Sequence, residues 1–369
     1  MKKKHMDIAL VVLLGALILV FSVWCWVKPA GEYSDSERRV LAGFPKLSAE
    51  TILNGKFMTE FEKYTLDQFP LRDSFRTLKA VSAFGVFGRL DNNDIYIKDG
   101  YVSKLESPLN ETMVENAAEK FAGIYDKYLA GTDVKAYVSI IPDKNYFLAG
   151  QNGYPTLDYG RLEQMTVEAL DGKMEYIDIF SLLELEDYYR TDTHWKQESI
   201  RGVADALANA MGADTLSEYR VNELENPFYG VYCGQSALPL DPDTIFYLTN
   251  SVIDGCTVTN YDTGMPVLSE MYDMEAAFGR DPYEMFVCGS SALVEIENPA
   301  AESERELVIF RDSFGSSIAP YFCEGYSKIT LVDIRYMPSE MVGKFVDFDS
   351  QDVLFLYSTL VLNNSSMLK

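Results

Sequence analysis

Three side chains in this sequence have the types that a nucleophile, a base and an orienting acid require. Asp192 and His194 stand two residues apart in YYRTDTHWKQES, residues 188–199, and Ser313 lies in FRDSFGSS, residues 310–317. The chain has two histidines, and the other, His5, follows Lys2, Lys3 and Lys4. Any imidazole chemistry in the main body therefore falls to His194. An aspartate beside a histidine fixes its tautomer and stabilises the imidazolium. On a helix, positions i and i+2 are about 200° apart and their side chains diverge; in extended backbone they share a side. The pair thus makes chemical sense where the chain is not helical. The same residues have plainer readings. His194 fits a buried histidine with one hydrogen bond, Trp195 fits plain core, and Ser313 fits a helix N-cap. FRDSFG is not the G-x-S-x-G elbow of α/β-hydrolases.

The elements around these residues are those of an α/β fold. AYVSIIP from Ala136, MEYIDIF from Met174, ELVIF at residues 306–310, KITLVDIRY at 328–336 and VLFLY from Val353 read as strands. After His194 the apolar positions Ile200, Val203, Ala204, Leu207 and Met211 share one helical face, and Gly212 is the stop. SSIAPYFCEGY, residues 316–326, reads as helical. Strands alternating with helices imply a mostly parallel sheet. Such sheets bind ligands where strands end and helices begin. Ser313 follows a strand and precedes a helix, where backbone N–H groups can hold an oxyanion.

Upstream, Phe57, Phe61 and Tyr64, then Leu71, Phe75 and Leu78, recur at helical spacing, with Pro70 suited to the first turn of the second run. Residues 28–90 thus read as a tether and an N-terminal helical region. Residues 91–369 read as the α/β domain, with an aromatic-rich insertion at about 213–303 that is expected to form a cap beside the sheet. DNNDIYIKDG from Asp91 has Ile95 where a calcium loop wants a ligand, so a strand and turn are expected instead.

Residues 1–27 read as a cytoplasmic tail and membrane anchor. Ile8 to Val27 carries no charge and is long enough to cross a bilayer. The lysines before it place the N-terminus inside and the rest of the chain outside. Trp24-Cys25-Trp26-Val27 lacks the small residues of a signal-peptide cleavage site, which favours an uncleaved anchor. Net charge is −24, which argues against nucleic acid and against a polybasic membrane contact. Cys233, Cys256, Cys288 and Cys323 lie beyond the anchor, where disulfides persist, and none forms a C-x-x-C. With one histidine outside, a histidine-rich metal site is excluded, and no cofactor is implied.

YYRTDTHW resembles the signature of the DHHW family, named for Asp-His-His-Trp, with Thr193 where the name has its first histidine. YSDSERRVLAGFPKLSAETILNGKFMTEFEKYTLDQFPLRD, from Tyr33, resembles that family's opening region. RDSFG, a helix and ITLVDIRY resemble its nucleophile block. The family is similar to the SGNH-hydrolase-like proteins of bacterial alginate O-acetylation. The resemblance implies an SGNH-like three-layer sandwich with Asp192, His194 and Ser313 as a triad. It implies acetyl transfer to an exported or cell-surface polysaccharide, with a multi-spanning membrane acyltransferase as acyl donor. The order Asp, His, Ser differs from that of ordinary SGNH esterases and fits the permuted acetylation branch. Asn145, just past a strand end, is a candidate oxyanion residue, and Trp195 and Arg311 are candidates for oxyanion or substrate contacts. Two other readings stay open: a non-catalytic carbohydrate-binding scaffold, and a plain carbohydrate esterase.

Overall fold

The computed structural model describes residues 2–369. The chain divides into two compact units, Met1–Asn93 with Cys233–Pro239, and Asp94–Tyr232 with Leu240–Lys369. The short return of residues 233–239 to the first unit has no compositional signal.

In the first unit, α1 (Lys2–Val27) contains His5–Val27, a stretch long and apolar enough to cross a membrane and with no part buried in the protein. Three helices follow: α2 (Ala49–Leu53), α3 (Lys56–Asp67) and α4 (Arg72–Gly85). Ser48 caps α2 through a capping box with Thr51. Pro70 falls just before α4 rather than inside it, because Leu71 takes a left-handed conformation at the cap (φ +55°). Arg39 grips both oxygens of Asp67 and holds its carboxyl down at about 2.

The second unit is built on one eight-stranded sheet. In chain order its strands are β1 (Lys135–Ile141), β2 (Glu175–Tyr176), β3 (Thr257–Asn260), β4 (Val267–Ser269), β5 (Leu293–Glu297), β6 (Glu306–Arg311), β7 (Lys328–Val332) and β8 (Asp352–Ser358). Their spatial order is β4-β3-β5-β7-β6-β8-β1-β2. From β7 to β2 all pairings are parallel, and the β4, β3 and β5 edge is antiparallel. The central strands are buried on both faces, which is why they read as unbroken apolar runs.

Alternate residues of these strands feed two cores. Leu307, Ile309, Leu354 and Leu356 face one, with α5 (Arg201–Met211, stopped by Gly212 at φ +69°) and the short helix Phe314–Ile318. Val308, Phe310, Val353 and Phe355 face the other, with Glu111–Ile124 and Tyr159–Leu170. This is the three-layer α/β sandwich expected from the sequence.

Some expectations differ in detail. MEYIDIF forms only the two-residue β2, and the segment from Phe180 turns into a 3₁₀ helix. KITLVDIRY stops pairing at Val332. The aromatic-rich insertion does not simply cap the sheet, since it supplies the β3, β4 and β5 edge. Strands of three to five residues with charged and polar members give too weak an alternation to be seen in sequence. Among the described residues Cys25, Cys256, Cys288 and Cys323 stand outside any disulfide, and the Cys256 and Cys323 thiols hydrogen-bond to each other.

Candidate active site

A tight reversal, not an extended strand, carries the acid and the imidazole. Tyr188 bridges Trp195 in antiparallel fashion. Across the same reversal Tyr189 N–H donates to the His194 carbonyl at 3.1 Å, and Lys196 N–H to the Asp187 carbonyl at 2.7 Å. Asp192 lies in the loop between. Its Oδ1 accepts both the His194 backbone N–H, at 3.1 Å, and His194 Nδ1, at 2.6 Å. The two side chains therefore meet through a local carboxylate turn, which corrects the expectation of an extended pair.

The loop is fixed from outside as well. Asp192 Oδ2 accepts the Val231 N–H at 2.7 Å. The Thr191 hydroxyl donates to Asp243 at 2.6 Å and accepts the Gly230 N–H at 3.0 Å. Only a glycine fits at 230: a Cβ there would lie 2.3 Å from the Thr191 carbonyl oxygen and 2.5 Å from Asp192 Cβ. Asp192 is 1% exposed, so its carboxylate depends on these donors.

Ser313 sits where β6 gives way to the helix Phe314–Ile318. Its side chain does not cap that helix. Asp312 does so instead, taking the Phe314 N–H on Oδ1 at 3.0 Å and the Ser358 N–H at the end of β8 on Oδ2 at 2.8 Å. Freed from capping, Ser313 Oγ stands 2.7 Å from His194 Nε2. Gly315 lets the helix turn this tightly, since a Cβ there would meet Arg311 Cβ at 2.5 Å. A carboxylate can only accept, so Nδ1 carries the proton and Nε2 accepts from the serine hydroxyl. Asp192, His194 and Ser313 thus form one continuous hydrogen-bonded chain, with the imidazole 13% exposed.

The imidazole is also held face-on. The Tyr283 ring lies 3.8 Å from it, tilted by 11°. The Tyr283 hydroxyl and Trp195 Nε1 both meet Ser317 Oγ, each at 2.8 Å. Burial raises the Tyr283 phenol far above its ordinary value, so it stays protonated.

The remaining candidates stand apart from this chain of contacts. Trp195 is fully buried, with its N–H spent on Ser317, and it packs edge-on against Phe314 at 5.3 Å. Arg311 is also fully buried. It donates to the Gly289 carbonyl at 2.9 Å and lies 3.7 Å from Asp333. Neither is placed to touch a substrate. Asn145 is 1% exposed; its amide donates to the Lys104 carbonyl at 2.6 Å and accepts from Tyr96 at 2.7 Å. It ties a hairpin (Ile95–Lys98 with Tyr101–Lys104) to the end of β1, and none of these contacts leads to Ser313.

Sequence reasoning did not single out Tyr283, Ser317, Gly230 or Asp243. Tyr283 is one of eleven aromatic residues between 213 and 303, and nothing local distinguishes it. A cleft of about 890 Å³, lined by Tyr219, Asn250, Ser303 and Gly325 among others, contains none of the three residues. Among the described residues no group of three or more His, Cys, Asp and Glu is placed to hold a metal ion.

No protein-family model matches the chain, and no curated protein matches it. Solved structures do. A DHHW family protein from Eubacterium siraeum DSM 15702 superposes with a TM-score of 0.54 at 21% identity, over 75% of this chain and 95% of that one. Bacillus cereus PatB1 with a sulfonyl adduct superposes at 0.58 and 18% identity, over 74% and 97%. PatB1 without it gives 0.57 and 17%, over 73% and 96%. At these identities the likeness is one of fold, and in fold this chain is similar to a DHHW family protein and to PatB1.

Proposed function

We propose that this protein is a membrane-anchored serine O-acyltransferase that transfers an acetyl group to hydroxyls of an exported or cell-surface polysaccharide. The observation that carries the reading is the Asp192–His194–Ser313 chain, with links of 2.6 and 2.7 Å, at the end of a parallel strand. The likeness to PatB1, a protein described with a sulfonyl adduct, supports it, because sulfonyl groups are captured by activated nucleophiles.

In this reading Ser313 Oγ attacks the acyl carbonyl while His194 Nε2 takes the hydroxyl proton. Asp192 holds the imidazolium through Nδ1. The backbone N–H of Ser313 is the proposed oxyanion donor, since Asp312 already takes that of Phe314. The tetrahedral species collapses, the leaving group takes the proton from Nε2, and an acyl-serine remains. A sugar hydroxyl then gives its proton to Nε2 and attacks the acyl-serine, restoring Ser313. The apolar α1 is the proposed membrane tether of the chain, and a multi-spanning membrane acyltransferase is the proposed donor.

The test is peptide mass spectrometry of the chain after exposure to an activated acetyl ester. An acetyl adduct on Ser313, lost in Ser313→Ala and His194→Ala, is expected. An unmodified Ser313 would overturn the reading. Adding oligosaccharide acceptors to the acylated protein separates transfer from hydrolysis by whether the sugar or water receives the acetyl group.

A further inference from the structure

The helices next to the apolar span are built inside out. On α4 the buried positions are Ala80 and Ala83, while Leu71, Phe75 and Leu78, on one helical face, point outward. The stripe continues into Val86, Phe87 and Leu90, and Phe87 is 75% exposed. The two arginines of α4 run the other way, although Asp73 and Lys79 are exposed. Arg72 and Arg76 are each less than one-fifth exposed and pair with Glu37, at 2.5 and 3.3 Å. A helix in water buries its large apolar side chains and exposes its charges. Single exposed leucines are ordinary; a continuous stripe with the arginines turned inward is not.

Within the same unit the apolar span touches the start of this stripe. Phe21 of α1 stacks on Phe69 at 5.4 Å and meets Phe75 edge-on at 5.6 Å. Phe21 precedes Val27 by six residues, which at 1.5 Å per residue is about 9 Å along the helix. If α1 crosses a bilayer, Phe69 and Phe75 sit at the depth of the headgroup and acyl boundary. Amphipathic helices lying in that plane bury their apolar face by about 5–10 Å.

We propose that residues 71–90 lie in the membrane interface on the side where α1 emerges at Val27, with lipid covering the stripe of Leu71, Phe75, Leu78, Val86, Phe87 and Leu90. This rests on the anchor reading of α1. The full chain would be reconstituted in vesicles of equal parts phosphatidylethanolamine and phosphatidylglycerol. These would be doped with a phospholipid bearing an acyl-chain diazirine, and lipid adducts would be mapped by peptide mass spectrometry after illumination. Adducts are expected in both residues 5–27 and residues 71–90. The double variant Leu78→Glu, Phe87→Glu is expected to lower labelling of 71–90 about tenfold while leaving the span unchanged. Adducts confined to the span would overturn the proposal, keep the anchor and leave the stripe to a protein partner. Adducts in neither segment would remove the anchor reading and the proposal with it.

Discussion

At the scale of single residues, the Asp192 carboxylate does three jobs with two oxygens. It fixes the His194 tautomer, ties the loop to itself through the His194 N–H, and ties it to Val231. Asp192→Asn keeps the shape but can donate where a carboxylate only accepts. It is expected to slow Ser313 acylation by about four orders of magnitude, read by stopped-flow with a chromogenic acetyl ester. Tyr283 acts through the imidazole. Tyr283→Leu removes the stacked ring and is expected to lower acylation about tenfold, whereas Tyr283→Phe keeps the ring and stays within about fivefold of wild type. Equal losses in the two variants would assign the effect to the hydroxyl rather than the stack. Asp192, His194 and Ser313 were legible in the sequence because each type is scarce or distinctively placed. Tyr283 was not, because its role comes from a packing contact across the fold. The competing N-cap reading of Ser313 is displaced by its neighbour: Asp312 takes that task.

At the scale of elements, two glycines decide whether the loops reach their positions. A Cβ at Gly315 would collide with Arg311, and one at Gly230 with the backbone beside Asp192. Gly230→Ala is expected to destabilise the fold by about 1–3 kcal/mol and to abolish acylation, measured by chemical denaturation alongside the adduct assay. Full activity with unchanged stability would mean that the loop shifts at no cost. The parallel strands and α5 were legible because buried apolar runs and a 3.6-residue period are strong signals. The β3, β4 and β5 edge was not, since its strands are short and half polar. Helical spacing was visible in α4, but spacing alone does not say which face turns outward.

For the molecule as a whole, Glu198 is one of several carboxyls that link stability to pH, beside Asp67, Asp143 and Asp187. Burial pushes Glu198 up to about 7, and its Oε2 has no hydrogen-bond partner. An unfolded glutamate titrates near 4.3. Between those values the folded chain keeps a proton that the unfolded chain has released, so stability falls as pH rises from about 4.3 to about 7 and then levels. The loss is on the order of 3 to 4 kcal/mol. Glu198→Gln is expected to make this slope shallower and to be the more stable protein at pH 8, compared by urea denaturation of the detergent-solubilised chain at pH 5 and pH 8. Parallel slopes in the two proteins would show that Glu198 is not the source.

The position of β8 has a consequence in time. It is the last strand along the chain, yet it lies between β6 and β1, and its Ser358 N–H holds Asp312. Synthesis delivers the N-terminal side first. His194 therefore waits 119 residues for Ser313, and both wait for β8 to close the gap in the sheet. A chain stopped before Ser313 carries the proposed base without its proposed nucleophile. Asp192, His194 and Ser313 thus take up their joint geometry only after β8 has been made and has entered the sheet.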